Sequence, residues 1–347
     1  MAVGEFFLGG RMSCFDSRFA AHPGYARMFR PGALTLGVFL PLEPYDGPAA
    51  RMDAAGQTER AVQAEHAGFA ALWARDIPPP APAFGDTGRA YDPWTWLTHI
   101  AARTSRIALA TGSTVLPPHR PVDTAKSAAR LDLLSGRRLV LGAAAGDRSV
   151  EFPAYGPDRD DSGALFRTAV STLRRLWTED SPAAGPHHGA FGDAGVPPGP
   201  SEPSGGRVPV LVTGHSRQSV PWIAEHADGW LMEPRPLIQQ CRTTALWRKA
   251  VHDAGEPRKP FAQTLRLDLV DRPDARPRAI PLGYRTGRRY LRSHLEGLRD
   301  TGVHHVVLDL RHGRRPAAEV LRELGEYVLP HFPAHGTYAQ APAVSAA

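Results

Sequence analysis

Residues 106–149, RIALATGSTVLPPHRPVDTAKSAARLDLLSGRRLVLGAAAGDRS, carry the reading on which the fold rests. The stretch opens on a short apolar run, Ile107–Thr111. It then turns through Pro117 and Pro118, runs as a helix from Val122 to Leu134, stops at Gly136 and resumes an apolar run at Arg138–Gly142. Short apolar runs that do not alternate with polar residues suit strands buried on both faces, and a helix between two of them suits a parallel crossover. Glycine just past the last helical residue is an expected stop signal.

The same rhythm extends outward. Six further strand candidates are Leu34–Leu40, Ala70–Ala74, Val208–Thr213, Gly229–Met232, Thr264–Val270 and His305–Leu310. The helices between them show the 3.6-residue period. Leu165, Phe166, Ala169, Val170, Leu173, Leu176 and Trp177 trace one face, and Val220, Ile223, Ala224 and Ala227 trace another. Asp92 followed by Pro93 reads as an N-cap with proline at the first helical position. Eight strand–helix pairs predict an α/β protein, a (β/α)8 TIM barrel spanning residues 34–332. Residues 1–33 read as a peripheral leader and 333–347 as a flexible tail. Residues 180–207, rich in Pro and Gly and without a hydrophobic period, read as a long excursion after the fourth strand. It leaves the barrel near its C-terminal face, where barrel active sites lie, and reads as a candidate lid.

Composition narrows the function. The formal charge of +6 comes from arginines scattered along all 347 residues rather than from a basic stripe interleaved with aromatics, so nucleic acid is not expected as a partner. No apolar run approaches the roughly 18 residues of a membrane span, and Arg11, Asp16 and Arg18 interrupt any signal-peptide core, which predicts a cytoplasmic protein without membrane contact. The two cysteines, Cys14 and Cys241, form no metal-ligand or CxxC spacing, so neither a disulfide framework nor a metal site is expected. His187 and His188 lie in the Pro/Gly-rich excursion without further ligands nearby and read as surface residues. No GxGxxG follows a strand and opens a helix, so no built-in dinucleotide domain is expected.

Three segments carry a resemblance to a known family: residues 106–149 with their continuation to Gly156, "VPVLVTGHSRQSVPWIAEHADGW" (208–230) and "GLRDTGVHHVVLDL" (297–310). Together with the eight-pair rhythm, they resemble the bacterial luciferase-like superfamily over about residues 34–332. The resemblance implies an enzyme that uses reduced FMN, supplied by a separate flavin reductase, and O2 to oxygenate a small organic substrate. The alternatives are a hydride-transfer enzyme using a deazaflavin coenzyme, and a catalytically idle flavin-binding protein. A homodimer is also implied.

Residue by residue, the resemblance puts a cis peptide between Gly112 and Ser113, beneath the flavin ring. Ala144 and Gly146, at the end of the fourth strand, would line the ring cavity, since small residues admit a planar ring close to the backbone. In the loop "TGHSRQS", Thr213, Gly214, His215, Ser216 and Ser219 would bind the cofactor, with the two serine hydroxyls on its phosphate. Backbone N–H groups near a helix start attract anions. The plain alternative for a serine there is an N-cap. Ala145 stands where the family's luciferases carry a phosphate-contacting arginine, and Arg148 is the candidate to replace it. "LWARDIPPP" (72–80) resembles the family's Trp-x-x-Asp segment and makes Asp76 a catalytic candidate beside Arg148. Ile77 occupies the place of the luciferases' essential histidine, so light emission is not expected. Glu233, Pro234 and Arg235 are placed to meet substrate, whereas His226 and Asp228 belong to the opposite face and read as structural.

Overall fold

The computed structural model describes residue 15 and residues 17–42, 53–76, 91–148, 151–179 and 207–336. Its strands are β1 Thr35–Leu40, β2 Ala71–Ala74, β3 Ala108–Thr111, β4 Thr114–Val115, β5 Leu139–Ala144, β6 Val210–Thr213, β7 Gly229–Met232, β8 Phe261–Leu269, β9 Arg278–Ile280, β10 Gly283–Thr286 and β11 His305–Asp309. β1, β2, β3, β5, β6, β7 and β8 pair in sequence, all parallel. β11 closes the ring between β8 and β1, giving an eight-stranded barrel. All eight strands anticipated from sequence are present. The seventh begins earlier, at Phe261, because its polar residues Gln263 and Thr264 do not interrupt pairing with β7 and β11.

Alternation within each strand builds two apolar layers. Leu72 and Ala74 of β2 join the cluster between strands and helices, while Ala71 and Trp73 join the one inside the barrel. Outside lie α2 Ala54–Ala67, α3 Pro93–Ala101, α4 Pro121–Leu134, α6 Ser162–Thr178, α7 Val220–His226, α8 Leu237–Asp253, α9 Arg288–Thr301 and α10 Ala317–Tyr327, with α1 Pro23–Met28 and α5 Glu151–Tyr155 in the connections. On α6 the stripe Phe166, Ala169, Val170, Leu173, Leu176 and Trp177 is buried as its periodicity demands; Leu165 falls outside it. Asp92 caps α3, its Oδ1 accepting from the Thr95 N–H at 2.8 Å. Among the described residues, no helix is long and apolar enough to cross a membrane.

Two expectations are corrected. The described part of the leader is not peripheral: Phe15, Phe19, Tyr25, Met28 and Phe29 are buried in the interior cluster. They stopper the N-terminal end, where the Gly24 N–H donates to the Arg137 carbonyl and the Tyr25 hydroxyl to that of Asp228. An apolar barrel floor needs a cover, and a segment with aromatics at positions 15, 19, 25 and 29 provides one without strand periodicity. Nor is the tail after Pro333 wholly detached, since the His335 N–H donates to the Arg27 carbonyl at 3.0 Å.

The second correction concerns the excursion. Residues 180–206 lie outside the described residues, but both flanks are at the N-terminal face. α6 carries the chain back from the mouth, and Arg174 near its end shares Asp228 with Arg207 ahead of β6. The premise of a lid, departure from the mouth side, does not hold.

A hairpin not foreseen in the sequence, β9–β10, adds to the barrel wall, with β10 pairing β8 in parallel. Its residues are mostly exposed or half-buried, so no hydrophobic pattern marks it.

Candidate active site at the barrel mouth

A cleft of about 570 Å³ opens at the C-terminal ends of β2, β3, β5, β6 and β7. That size falls within the few-hundred to thousand Å³ range typical of small-molecule sites. Asp76, Gly112, Ser113, Ala144, Gly146, Arg148, Thr213, Gly214, His215 and Ser216 all line it. Ser219 does not. It is exposed, and its hydroxyl accepts the Trp222 N–H at 3.3 Å as the N-cap of α7. Glu233 and Arg235 join the lining, as do Arg75, Arg159 and Arg217.

The Gly112–Ser113 peptide is cis. A Cβ on Gly112 would meet the Phe39 ring at 2.5 Å and Trp73 at 3.1 Å, so only glycine fits there. A Cβ on Gly142 would strike the Thr111 carbonyl at 2.1 Å, which keeps β3 and β5 close beneath the cleft. Glycines at 112 and 142 thus let aromatic rings and backbone pack closely beneath the cleft.

Hydroxyls stitch three loops together. Ser113 Oγ hydrogen-bonds to Thr213 Oγ1, and Ser216 Oγ donates to the Thr213 carbonyl at 2.8 Å while accepting the Ala145 N–H at 3.2 Å. Gly214, Ser216 and Arg217 all have positive φ, at 57°, 45° and 57°. Non-glycine residues rarely adopt this conformation, and where they do a functional site is a common reason.

Charge is concentrated at two points. Asp76 Oδ2 accepts the Val115 N–H at 3.1 Å and lies 3.1 Å from His119 Nε2. This carboxylate raises the His119 imidazole above its ordinary range against the opposing effect of burial. At the second point, Asp309 Oδ2 is 2.8 Å from Arg75 and 3.0 Å from Arg311. Burial would raise the Asp309 carboxyl, but the hydrogen bond and charge of Arg311, with Arg75, bring it to about 2. Burial and the neighbouring Arg311 lower Arg75 to about 10 despite Asp309, and its guanidinium stacks 4.5 Å over the Phe39 ring.

Sequence reasoning passed over Arg75, His119 and Asp309. Two were findable, because inward alternation continues Ala71–Trp73 to Arg75 and His305–Val307 to Asp309. His119 was not, since it sits in a proline turn with no period. Ile77 lies outside the described residues.

The family model described as luciferase-like monooxygenase matches residues 34–279. The chain belongs to that family. An uncharacterised protein of Mycobacterium tuberculosis is 32% identical to this family member over 204 residues, 56% of this chain and 67% of that one. Among solved structures, the monooxygenase RslO1 from Streptomyces bottropensis aligns with a TM-score of 0.67 at 23% identity, covering 86% of this chain and 99% of that one. An F420-dependent secondary alcohol dehydrogenase in complex with an F420-acetone adduct aligns with a TM-score of 0.68 at 16% identity, covering 85% and 98%. At these identities the structures share the fold with this family member.

Proposed function

We propose that this chain is an oxidoreductase whose mouth cleft seats a reduced flavin, and that it acts as a monooxygenase on a small organic substrate with O2, its FMN supplied by a separate reductase. The observation that carries the reading is the floor: Gly112, Ser113, Ala144 and Gly146 face one cleft, and the rings of Phe39 and Trp73 leave no room for a side chain on Gly112. A planar ring system fits such a surface. When bound, the flavin supplies the redox chemistry, while the protein orients it and excludes water.

The chain's own residues have defined tasks. Gly112, Ser113 and Ala144 support the ring, and the Ser113–Thr213–Ser216 network holds their loops in register. Gly214, His215, Ser216 and Arg148 face the phosphate. Asp76 favours the protonated form of His119, making this pair the candidate proton reservoir.

A second reading, hydride transfer with a deazaflavin coenzyme, is favoured by one specific observation. Five arginines, 75, 148, 159, 217 and 235, line the cleft against the acids Asp76, Asp147 and Glu233, an excess suited to a long acidic tail. Titrating the protein with FMN and with the deazaflavin, then assaying O2 consumption with reduced FMN, separates the readings. Tighter FMN binding with O2-dependent product supports the first. Deazaflavin binding alone transfers the assignment to the second, and binding of neither removes both.

A further inference from the structure

We propose that the hairpin β9–β10 builds an anion-receiving subsite beside the cleft, and that the substrate carries a carboxylate or phosphate group seated there. The inference rests on the reading of the cleft as the reacting site and adds to it the substrate's chemical class.

A pocket of about 390 Å³ is walled by Arg266 and Asp268 of β8, Arg278 and Arg285 of the hairpin, and His312 and Arg314 after β11. Asp268 is the single acid in that wall, and it is already engaged by the Arg314 N–H at 3.3 Å and by Arg285 at 3.7 Å. Arg278 and Arg285 stand directly opposite each other in the antiparallel register. Like charges across a strand pair destabilise it, and an anion between them converts repulsion into two charge-assisted contacts. Guanidinium groups match the planar, two-oxygen geometry of carboxylate and phosphate.

The hairpin is held firmly. A Cβ on Gly283 would strike the Arg266 carbonyl at 1.9 Å, so β10 lies hard against β8. Asp309 stands between pocket and cleft, 3.9 Å from Arg266 on one side and 2.8 Å from Arg75 on the other. A small molecule anchored by its anionic end at the hairpin thereby lies beside the cleft, separated from the ring seat by this buried ion-pair cluster.

The test is calorimetric titration of the full chain with inorganic phosphate and, separately, malonate at constant ionic strength. The proteins are wild type, the double variant Arg278→Ala/Arg285→Ala, and Arg242→Ala as an exposed charge control on α8. Saturable binding of at least one anion, weakened at least tenfold in the double variant and unchanged in the control, is expected; the stronger anion names the group. Absent binding, equal loss in the control, or full retention in the double variant overturns the subsite. FMN affinity is measured on the same proteins. If it falls with anion affinity in the double variant, the pocket serves the cofactor and the substrate assignment is wrong. If wild type binds an anion but no flavin, the cofactor reading fails while the anion site stands.

Discussion

The two ends of this barrel use similar residues to opposite purposes. At the N-terminal floor, each charged group described above has its partners inside the fold. Glu65 accepts the N–H groups of Ser105, Arg106 and Ile107, and these outweigh burial to hold its carboxyl below the ordinary range. Arg138 donates to the carbonyls of Ala101, Thr104, Ser135 and Ile107. Inside the barrel His305 is buried and driven down to about 3, so it is neutral. It accepts from the Trp73 indole at 3.1 Å and meets Thr35, whose hydroxyl donates to the Met28 carbonyl. At the mouth, arginines outnumber acids, backbone adopts uncommon conformations, and glycines stand where a Cβ would collide. Charges paired with one another inside the fold mark the end that stabilises the barrel; an excess of arginines over acids lining an open cleft marks the end that meets a ligand.

The comparison breaks most visibly if a floor residue is removed. Burial would raise the Asp228 carboxyl, yet Arg174, Arg207 and the Val210 N–H together hold it below its usual range. Its contribution is thus present above the ordinary Asp range and lost as pH falls. Asp228→Asn should destabilise the fold by about 3 to 5 kcal/mol by leaving two arginines unpaired, while cofactor affinity of the folded fraction stays unchanged. Denaturant unfolding and flavin titration check both halves. A loss of affinity without a loss of stability would erase the distinction between the ends.

The two serines of the phosphate loop should part company. Ser216→Ala, which removes the hydroxyl linking the loops after β5 and β6, should weaken FMN binding several-fold, as each lost neutral hydrogen bond is worth about 0.5 to 1.5 kcal/mol. Ser219→Ala should leave affinity intact and cost about 1 kcal/mol of stability as a lost N-cap. Riboflavin serves as the phosphate-free control. Equal losses for both variants would restore the sequence expectation that both hydroxyls reach the phosphate.

The smallest effect belongs to Asp76→Asn. Since Asp76 raises His119, protonated His119 contributes stability that is present below its unfolded value and lost as pH rises through the raised one. The variant should move the His119 titration downward, as followed by NMR of the imidazole, and change stability by less than about 1 kcal/mol. An unmoved titration would remove the pair as a proton reservoir.

How much of this was legible beforehand follows the same division. The barrel was readable because buried strands and amphipathic helices repeat, and α6 and β7 fall where their periods place them. The ring seat was readable through resemblance, on small residues in a recognisable order. The floor's stopper was missed because aromatics at 15, 19, 25 and 29 follow no single period. The mouth's two charge pairs were missed because Asp76 and His119, and Arg75 and Asp309, lie far apart in sequence and meet only when the barrel closes. The excursion was misplaced because its helix was recognised but its direction was not followed.

The central claim is that the floor around Gly112 seats a flavin ring, and Gly112→Val tests it most directly. Valine must displace the rings of Phe39 and Trp73, an overpacking worth about 1 to 3 kcal/mol, which the folded protein can survive. With folding verified by circular dichroism, fluorescence titration should show FMN and riboflavin affinity both reduced at least about tenfold, since about 1.4 kcal/mol of lost ring contact suffices. A folded Gly112→Val protein that binds both as tightly as wild type would contradict the account.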